Sequence, residues 1–148
     1  MKTLQRLQLL ILVALALSTG VAGKCPTGSV TIRGRVENLP SGVTAAEIAV
    51  VVETPKGKTS KTASVSNGEF TAEVPFSTLS SSILGGDRCN NEPTAVVVRI
   101  VAAGRVYVQK SIPFKNSFDM YGPSLYRLKQ DLYVDVLKER PSDESPRQ

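Results

Sequence analysis

The stretch 28-GSVTIRGRVE-37 decides the fold class, because small or apolar residues alternate with polar ones along it. Val30, Ile32, Gly34 and Val36 alternate with polar side chains, which fall on the other side of an extended chain and are Thr31, Arg33, Arg35 and Glu37. Successive side chains of a strand point to opposite faces of a sheet. The alternation therefore predicts a β-strand with one buried face and one solvated face.

Six further segments with strand-like patterns follow, and turn residues separate them. They cover residues 48–52, 58–65, 70–74, 94–101, 105–114 and 126–135. No part of the chain after residue 23 has a sustained helical period. These seven segments predict an all-β fold, a seven-stranded antiparallel Greek-key sandwich. A single sheet closed on itself is the alternative.

Two connections carry specific turn patterns. Residues 54-TPKG-57 combine proline with glycine, and 67-NG-68 is typical of a two-residue hairpin turn. Between them, residues 58–65 are polar on both faces and include Lys58 and Lys61. This composition predicts an edge strand whose charges prevent pairing with other chains.

The N-terminus has the three parts of a secretory signal peptide. Lys2 and Arg6 precede an apolar run at residues 9–17, and 21-VAG-23 offers small residues for cleavage. The apolar run is shorter than the ~20 residues that a membrane-spanning helix needs. We therefore predict that residues 1–23 are a cleaved signal peptide of a secreted or periplasmic protein, with no stable membrane insertion.

The remaining chain has the size of one domain. We predict a sandwich over residues 24–137 and a disordered tail over residues 138–148, which has two prolines and mixed charge. Of the 18 basic residues, two leave with the signal, so 16 face 13 acidic ones and the net charge falls from +5 to +3. The basic residues are interleaved with acidic ones, a pattern that argues against nucleic-acid binding.

Cys25 and Cys89 are the two cysteines of the chain. In an exported protein they predict one disulfide, which closes a loop of about 65 residues and stabilises the fold by about 4 kcal/mol in the chain-entropy model. The alternative is a lipidated Cys25, although Lys24 separates it from the small residues at 21–23.

The order of these patterns resembles a known family. The stretch at 28–36, a valine-rich strand, the Pro-Lys-Gly turn and 67-NGEF-70 together resemble the opening of carboxypeptidase-regulatory-like domains, which have a prealbumin-like (transthyretin-like) sandwich fold related in shape to immunoglobulin-like domains. The resemblance covers residues 28–76, and Ser66-Asn67 stands where those domains carry an aspartate. It implies a secreted, non-catalytic binding or accessory module, and it transfers no active-site residues.

Catalytic chemistry has little support in the sequence. The chain contains no histidine, which excludes histidine-based triads and metal sites, and no cofactor motif occurs. The alternative is a histidine-free hydrolase that uses a pair such as Ser60 with Lys61. Asp131 and Asp135 are four residues apart on a predicted strand, about 13 Å, which is longer than the ~5–9 Å between the carboxylates of glycoside hydrolases. We predict that they keep an outer face soluble. We predict no enzyme, no cofactor and no metal, since Asp87 and Asp119 stand isolated.

Two long connections are the first candidate binding regions. Residues 77–93 form a long loop that contains Asp87 and Arg88 and ends near the disulfide, and loops of this length are usually functional or disordered. Residues 115–125 carry three apolar or aromatic side chains, Phe118, Met120 and Tyr121. These three either plug one end of the sandwich, the alternative we favour, or form a surface that contacts a partner.

Exposed strand residues are the second candidate. Arg33 and Arg35, with Arg99 from another outer face, are a hypothetical binding patch for an acidic glycan or phosphate; the simpler interpretation is a solvated face paired with Glu37. Two tyrosines on the outer register are candidates for stacking on sugars, or for packing on neighbouring strands, and they are Tyr107 and Tyr133.

The sequence thus predicts a non-enzymatic module that recognises an extracellular or envelope protein or glycan. The first alternative is a structural or carrier domain that binds a small apolar ligand between its sheets or in an oligomer channel. The second alternative is the histidine-free hydrolase.

Overall fold

A computed structural model describes residues 25–43, 46–82 and 86–139, without the side chains at 81, 82, 86 and 87. The predicted signal peptide and residues 140–148 of the predicted tail lie outside the described residues. Within the described part, eleven strands precede one short helix. They are β1 (Thr27–Glu37), β2 (Glu47–Thr54), β3 (Gly57–Ser64), β4 (Glu69–Ser77), β5 (Ser80–Ser82), β6 (Gly86–Arg88), β7 (Ala95–Ala102), β8 (Arg105–Pro113), β9 (Phe118–Gly122), β10 (Leu125–Leu128), β11 (Leu132–Asp135) and α1 (Val136–Glu139).

These strands form two larger sheets and one small one. In the first sheet β1 is central, with β4 on one side, β10 and β11 on the other, and β9 beyond β10. The second sheet has the order β3-β2-β7-β8, and β5 pairs with β6 separately. The prediction of an all-β fold is confirmed.

The first sheet corrects the prediction of a purely antiparallel arrangement. β1 is antiparallel to β4, but it is parallel to both β10 and β11. The alternation of apolar and polar residues reports which face of a strand is buried, and it carries no information about the direction of the neighbour.

The strand count is eleven in the described residues, rather than seven, and residues 126–135 illustrate why. The structure divides this predicted strand into β10 and β11, with residues 129–131 outside both. In an uninterrupted strand Gln130 would share the inward register of Tyr126 and Val134. Looping out keeps its amide from being buried without partners.

One hydrophobic core joins the two sheets. Buried side chains alternate with exposed ones along β4 and from Ile32 to Val36 of β1, as predicted, whereas Ser29 near the start of β1 is buried. The largest side chains that solvent does not reach are Val30, Ile32, Ile48, Val50, Val52, Val74, Val96, Val98, Ile100, Val134 and Val136. They are mostly β-branched residues, which pack well on a pleated surface.

The predicted turn at Asn67-Gly68 is present but joins strands of different sheets. Both residues have positive φ, 53° and 77°, and Ser66 and Glu69 exchange two backbone hydrogen bonds of 2.9 Å, as in a type I′ turn. The preceding strand, β3, belongs to the second sheet, whereas β4 belongs to the first. The turn therefore carries the chain from one sheet to the other.

Two further predictions are confirmed. β3 is an edge strand of the second sheet, and Lys58 on it pairs with Glu53 at 2.6 Å. Cys25 and Cys89 form a disulfide, with Cα atoms 5.2 Å apart. Because this bond occupies the sulfur of Cys25, a lipid on that sulfur has no place in this structure.

The C-terminal end corrects two predictions. Lys138 and Glu139, predicted to begin a disordered tail, lie in α1, and Glu139 pairs with Lys110 of β8 at 3.2 Å. Asp135, predicted to lie on a soluble outer face, is buried. In the described ranges, no helix has the length and apolar character to cross a membrane.

Candidate functional site

The interruption between β10 and β11 creates a groove on the outer face of the first sheet, the face turned away from the core. β10 pairs with β1 from Ser29 to Thr31, and β11 pairs with it from Gly34 to Glu37. In these registers, Ile32 and Arg33 have no partner residue on that side. A cavity of about 500 Å³ lies at this place, and Arg33 is one of its lining residues.

A second cavity of about 490 Å³ continues the first one along β1. The two cavities share three lining residues, Arg33, Thr71 and Asp131, so they form one continuous depression. We call it the outer groove. The side chains that matter for its chemistry are Arg33, Thr71, Tyr121, Arg127, Asp131 and Tyr133.

A half-exposed tyrosine stands at each end of the outer groove. Tyr121 on β9 is 52% exposed, and the guanidinium of Arg127 lies 5.9 Å from its ring centroid. Tyr133 on β11 is 51% exposed, and its hydroxyl donates a hydrogen bond to Glu37 at 2.8 Å. Both rings are held by a charged neighbour and still present open surface.

The strand register gives the spacing along β1 between Arg127, which contacts Tyr121, and Tyr133. Arg127 is paired with Thr31, and Tyr133 is paired with Arg35. Thr31 and Arg35 are four residues apart on the same strand, which corresponds to about 13 Å at the usual rise per residue. The groove is thus longer than one aromatic ring and its nearest contacts.

Ion pairs occupy part of the groove. Arg35 pairs with Glu69 at 2.7 Å, an interaction that raises the pKa of Arg35 through the hydrogen bond and the charge of Glu69. Lys129 lies 3.8 Å from Asp119. The hydrogen bond to Glu37 raises the pKa of Tyr133, because loss of the phenol proton would break that bond.

Four charged groups of the groove make no ion pair with another described residue: the two cations Arg33 and Arg127, and the two anions Glu73 and Asp131. All four side chains are exposed. Guanidinium groups only donate hydrogen bonds, whereas carboxylates only accept them. The groove therefore offers both donors and acceptors to a ligand.

The structure divides the predicted arginine patch. Arg33 and Arg35 share the outer face of β1, but Arg99 lies on β7 of the second sheet, where it donates to Gln109 at 2.8 Å. Arg35 pairs with Glu69 instead of Glu37, which accepts from Tyr133. The patch is thus reduced to Arg33 and Arg35, of which Arg35 already has a carboxylate.

The sequence left two alternatives for Phe118, Met120 and Tyr121, a plug at one end of the sandwich or a surface that contacts a partner. Each alternative holds for some of these residues. These residues lie on β9 instead of in a loop. Phe118 is buried and stacks on Phe114 with ring centroids 4.8 Å apart, whereas Met120 and Tyr121 are 66% and 52% exposed. Phe118 closes the core, and the other two belong to the surface.

The first long loop forms a small hairpin. Asp87 and Arg88 lie on β6, which pairs with β5, and Arg88 is exposed beside the disulfide at Cys89. The side chain of Asp87 lies outside the description. This hairpin is separate from the two larger sheets, and none of its described side chains lines the outer groove.

Two other candidates have structural roles. Tyr107 on β8 packs against the hydrophobic core instead of standing free. The carboxylate of Asp135 caps α1 by accepting hydrogen bonds from the backbone N–H groups of Leu137 and Lys138, at 3.2 and 3.3 Å. Hydrogen bonds from the Asn38 side chain and from Lys138 lower the pKa of Asp135.

Sequence reasoning did not single out four of the groove residues, which are Thr71, Glu73, Arg127 and Lys129, and it considered Asp131 only together with Asp135. Their alternation with apolar residues indicated exposure, but it did not reveal that β4, β1 and β10 are neighbours.

Among the described residues, no group of three or more acidic residues or cysteines is placed to hold a metal ion. In comparisons with known proteins, no family model, curated protein or solved structure matches the chain.

Proposed function

We propose that this protein is a secreted, non-enzymatic β-sandwich module that recognises a glycan through the outer groove. One observation carries the proposal: a groove that has an exposed tyrosine at each end and arginine and aspartate side chains between them. The disulfide fits a protein that works outside the reducing cytosol.

The chemistry of sugars matches these groups. The C–H face of a sugar ring is apolar and stacks on an aromatic face, whose electron density is negative. Sugar hydroxyls both donate and accept hydrogen bonds, so a sugar site needs donors such as Arg33 and acceptors such as Asp131. A few polar groups that converge in a concave site are typical of small-ligand recognition.

Binding is better supported than hydrolysis. Glu73 and Asp131 line the same cavity, and they are the two carboxylates that a glycoside hydrolase would use. Both side chains are exposed, whereas a general acid is usually kept in an apolar pocket that favours its protonated form. We therefore propose that these carboxylates bind hydroxyl groups.

The test is binding of the oxidised chain from residue 24 to an array of extracellular and envelope glycans. We expect at least one glycan to bind, and we expect Tyr121→Ala to weaken it about tenfold, since one stacking platform is lost. Val106→Ala is the matched control, because Val106 is 56% exposed on β8 of the other sheet.

Four results would contradict the proposal. Binding of no glycan would do so, and so would a glycan whose affinity is equal in the wild type and Tyr121→Ala. Capture of a protein from the same compartment by both forms would instead support protein recognition away from the groove. Hydrolysis of a bound glycan, lost in Glu73→Gln, would make the protein an enzyme.

A carrier function is the second candidate, because a cleft of about 450 Å³ lies where residues of both sheets meet. Its apolar lining comes from Ile112 on β8 and from Leu128 and Leu132 beside the interrupted strand. If the protein carries a small apolar molecule there, native mass spectrometry of the purified protein will detect the bound mass. Leu132→Gln would then release it.

A further inference from the structure

We infer, on the basis of the proposed glycan-binding function, that the ligand of the outer groove is an uncharged oligosaccharide that stacks on Tyr121 and Tyr133 at the same time. An acidic sugar and a single monosaccharide are the two ligand classes that this inference rejects. The balance of charges in the groove argues against an acidic sugar, and the spacing of the two tyrosine rings argues against a single monosaccharide.

The groove and its immediate hydrogen-bond and ion-pair partners carry no net positive charge. Four cationic side chains face five acidic ones, and they are Arg33, Arg35, Arg127 and Lys129 against Glu37, Glu69, Glu73, Asp119 and Asp131. Two of these cations already have a carboxylate within 4 Å, Arg35 at 2.7 Å and Lys129 at 3.8 Å. An anionic ligand would find no net positive potential, and it would meet Glu73 and Asp131 as like charges.

Uncharged hydroxyl groups suit this mixture better. Neighbouring hydroxyls of a sugar present one donor and one or more acceptors within a short distance. Arg33 and Asp131 line both halves of the groove, and neither makes an ion pair with another described residue. Each can therefore bind a hydroxyl without first losing a partner, which would cost free energy.

The length of the groove sets the minimum length of the ligand. The β1 positions beside Arg127, which contacts Tyr121, and beside Tyr133 are about 13 Å apart, as judged from four residues of strand. A single sugar ring can stack on Tyr121 or on Tyr133, but it cannot contact both. Only a chain of several sugar units reaches from one ring to the other, and its middle units then lie over Arg33.

Both stacking platforms are already held in position. The Arg127 guanidinium lies against the ring of Tyr121, and the hydrogen bond to Glu37 restrains the ring of Tyr133. Side chains that are ordered before binding lose less conformational entropy on binding. We therefore expect each tyrosine to contribute a similar share of the affinity for a long ligand.

The experiment is calorimetric titration of the oxidised chain from residue 24 with neutral sugars of increasing length. The probes are the monomers to hexamers of cello-, chito-, manno- and galacto-oligosaccharides, with oligogalacturonates as the acidic series. We expect at least one neutral series to bind, with Kd falling at least tenfold from monomer to tetramer. Kd for this series should change less than twofold between 50 and 500 mM NaCl, because no charged group of the ligand is screened.

The variants separate the two ends of the groove. For the tetramer, Tyr121→Ala and Tyr133→Ala should each raise Kd about tenfold, whereas the monomer should respond to only one of them. Tyr121→Phe retains the ring and should bind as the wild type does. Arg99→Ala on the second sheet is the control for Arg33→Ala, which should weaken every neutral oligomer.

The outcomes distinguish this inference from the function on which it rests. Preference for oligogalacturonate, or an affinity independent of ligand length, would overturn the inference while leaving glycan binding at the groove intact. A tetramer that loses affinity with Tyr121→Ala but not with Tyr133→Ala would also overturn it. Failure of every neutral and acidic sugar to bind would overturn both.

Discussion

Gly34 lies where β1 packs closely against two of its neighbouring strands, β11 and β4. A Cβ atom at this position would be 2.3 Å from the carbonyl oxygen of Leu132 on β11 and 2.7 Å from the ring of Phe70 on β4. Neither atom belongs to a flexible chain end, so the strands themselves would have to move apart. The glycine permits the close packing of three strands.

We expect Gly34→Ala to lower the free energy of unfolding by about 1–3 kcal/mol, as overpacking usually does. Urea denaturation of the variant and the wild type measures this difference. Thr71→Ala is the control, because Thr71 is the exposed cross-strand neighbour of Arg33, and the change should stay within about 0.5 kcal/mol. Equal stability of Gly34→Ala and the wild type would contradict the close approach.

Asp135 makes the stability of the protein depend on pH. Its pKa is lowered in the folded state, chiefly by the hydrogen bond from Asn38 and also by Lys138. A lowered pKa means that the carboxylate stabilises the fold above the pKa of the unfolded state, about 3.9 for aspartate. This stabilisation is lost as the pH falls through the lower pKa of the folded state.

We therefore expect Asp135→Asn to have a lower melting temperature than the wild type at pH 7. The difference should shrink as the pH falls from 4 to 2, because the wild type then loses the charge that the variant lacks. Thermal melts at several pH values measure it. Melting curves that differ by the same amount at pH 7 and pH 2 would show that the charge of Asp135 is irrelevant.

At the scale of elements, β9 combines a core position with two surface positions. Phe118 stacks on Phe114, which in turn contacts Tyr126 with ring centroids 4.9 Å apart. Met120, two residues further along the same strand, is 66% exposed. One strand thus closes the core through its first residue and presents its middle residues to solvent.

We expect Phe118→Ala to lower the free energy of unfolding by about 3 kcal/mol, because a buried aromatic ring is removed. Met120→Ala is the matched change on the same strand, and its effect should stay within about 0.5 kcal/mol. Chemical denaturation measures both. If the two variants lost equal stability, the assignment of Phe118 alone to the core would be wrong.

The turn at Asn67-Gly68 shows what a local sequence pattern predicts and what it does not predict. Its sequence predicted a two-residue turn with positive φ at both positions, and the structure has that turn. The pattern did not predict that the flanking strands separate into different sheets. The turn depends on the conformational preferences of two residues, whereas the separation depends on where each strand buries its apolar face.

At the scale of the whole molecule, the disulfide connects the start of β1 to the end of the β5–β6 hairpin across 64 residues of sequence. We expect Cys25→Ser with Cys89→Ser to lower the free energy of unfolding by about 2–4 kcal/mol, mainly because the unfolded chain gains freedom. Urea denaturation with and without dithiothreitol measures it. Dithiothreitol should destabilise the wild type and leave the double variant unchanged; equal midpoints for all four samples would contradict the prediction.

The sequence by itself determined the all-β class, the inward and outward faces of β1 and β4, the edge position of β3 and the pairing of the two cysteines. Each of these depends on local alternation, on local charge or on the presence of only two cysteines. The tertiary structure alone decided that β10 and β11 run parallel to β1, that residues 129–131 leave the sheet, and that Arg33, Asp131 and the two end tyrosines share one groove. The physical reason is that strand neighbours are selected by burial and hydrogen bonding summed over the whole chain, and a pattern within one strand does not contain that sum.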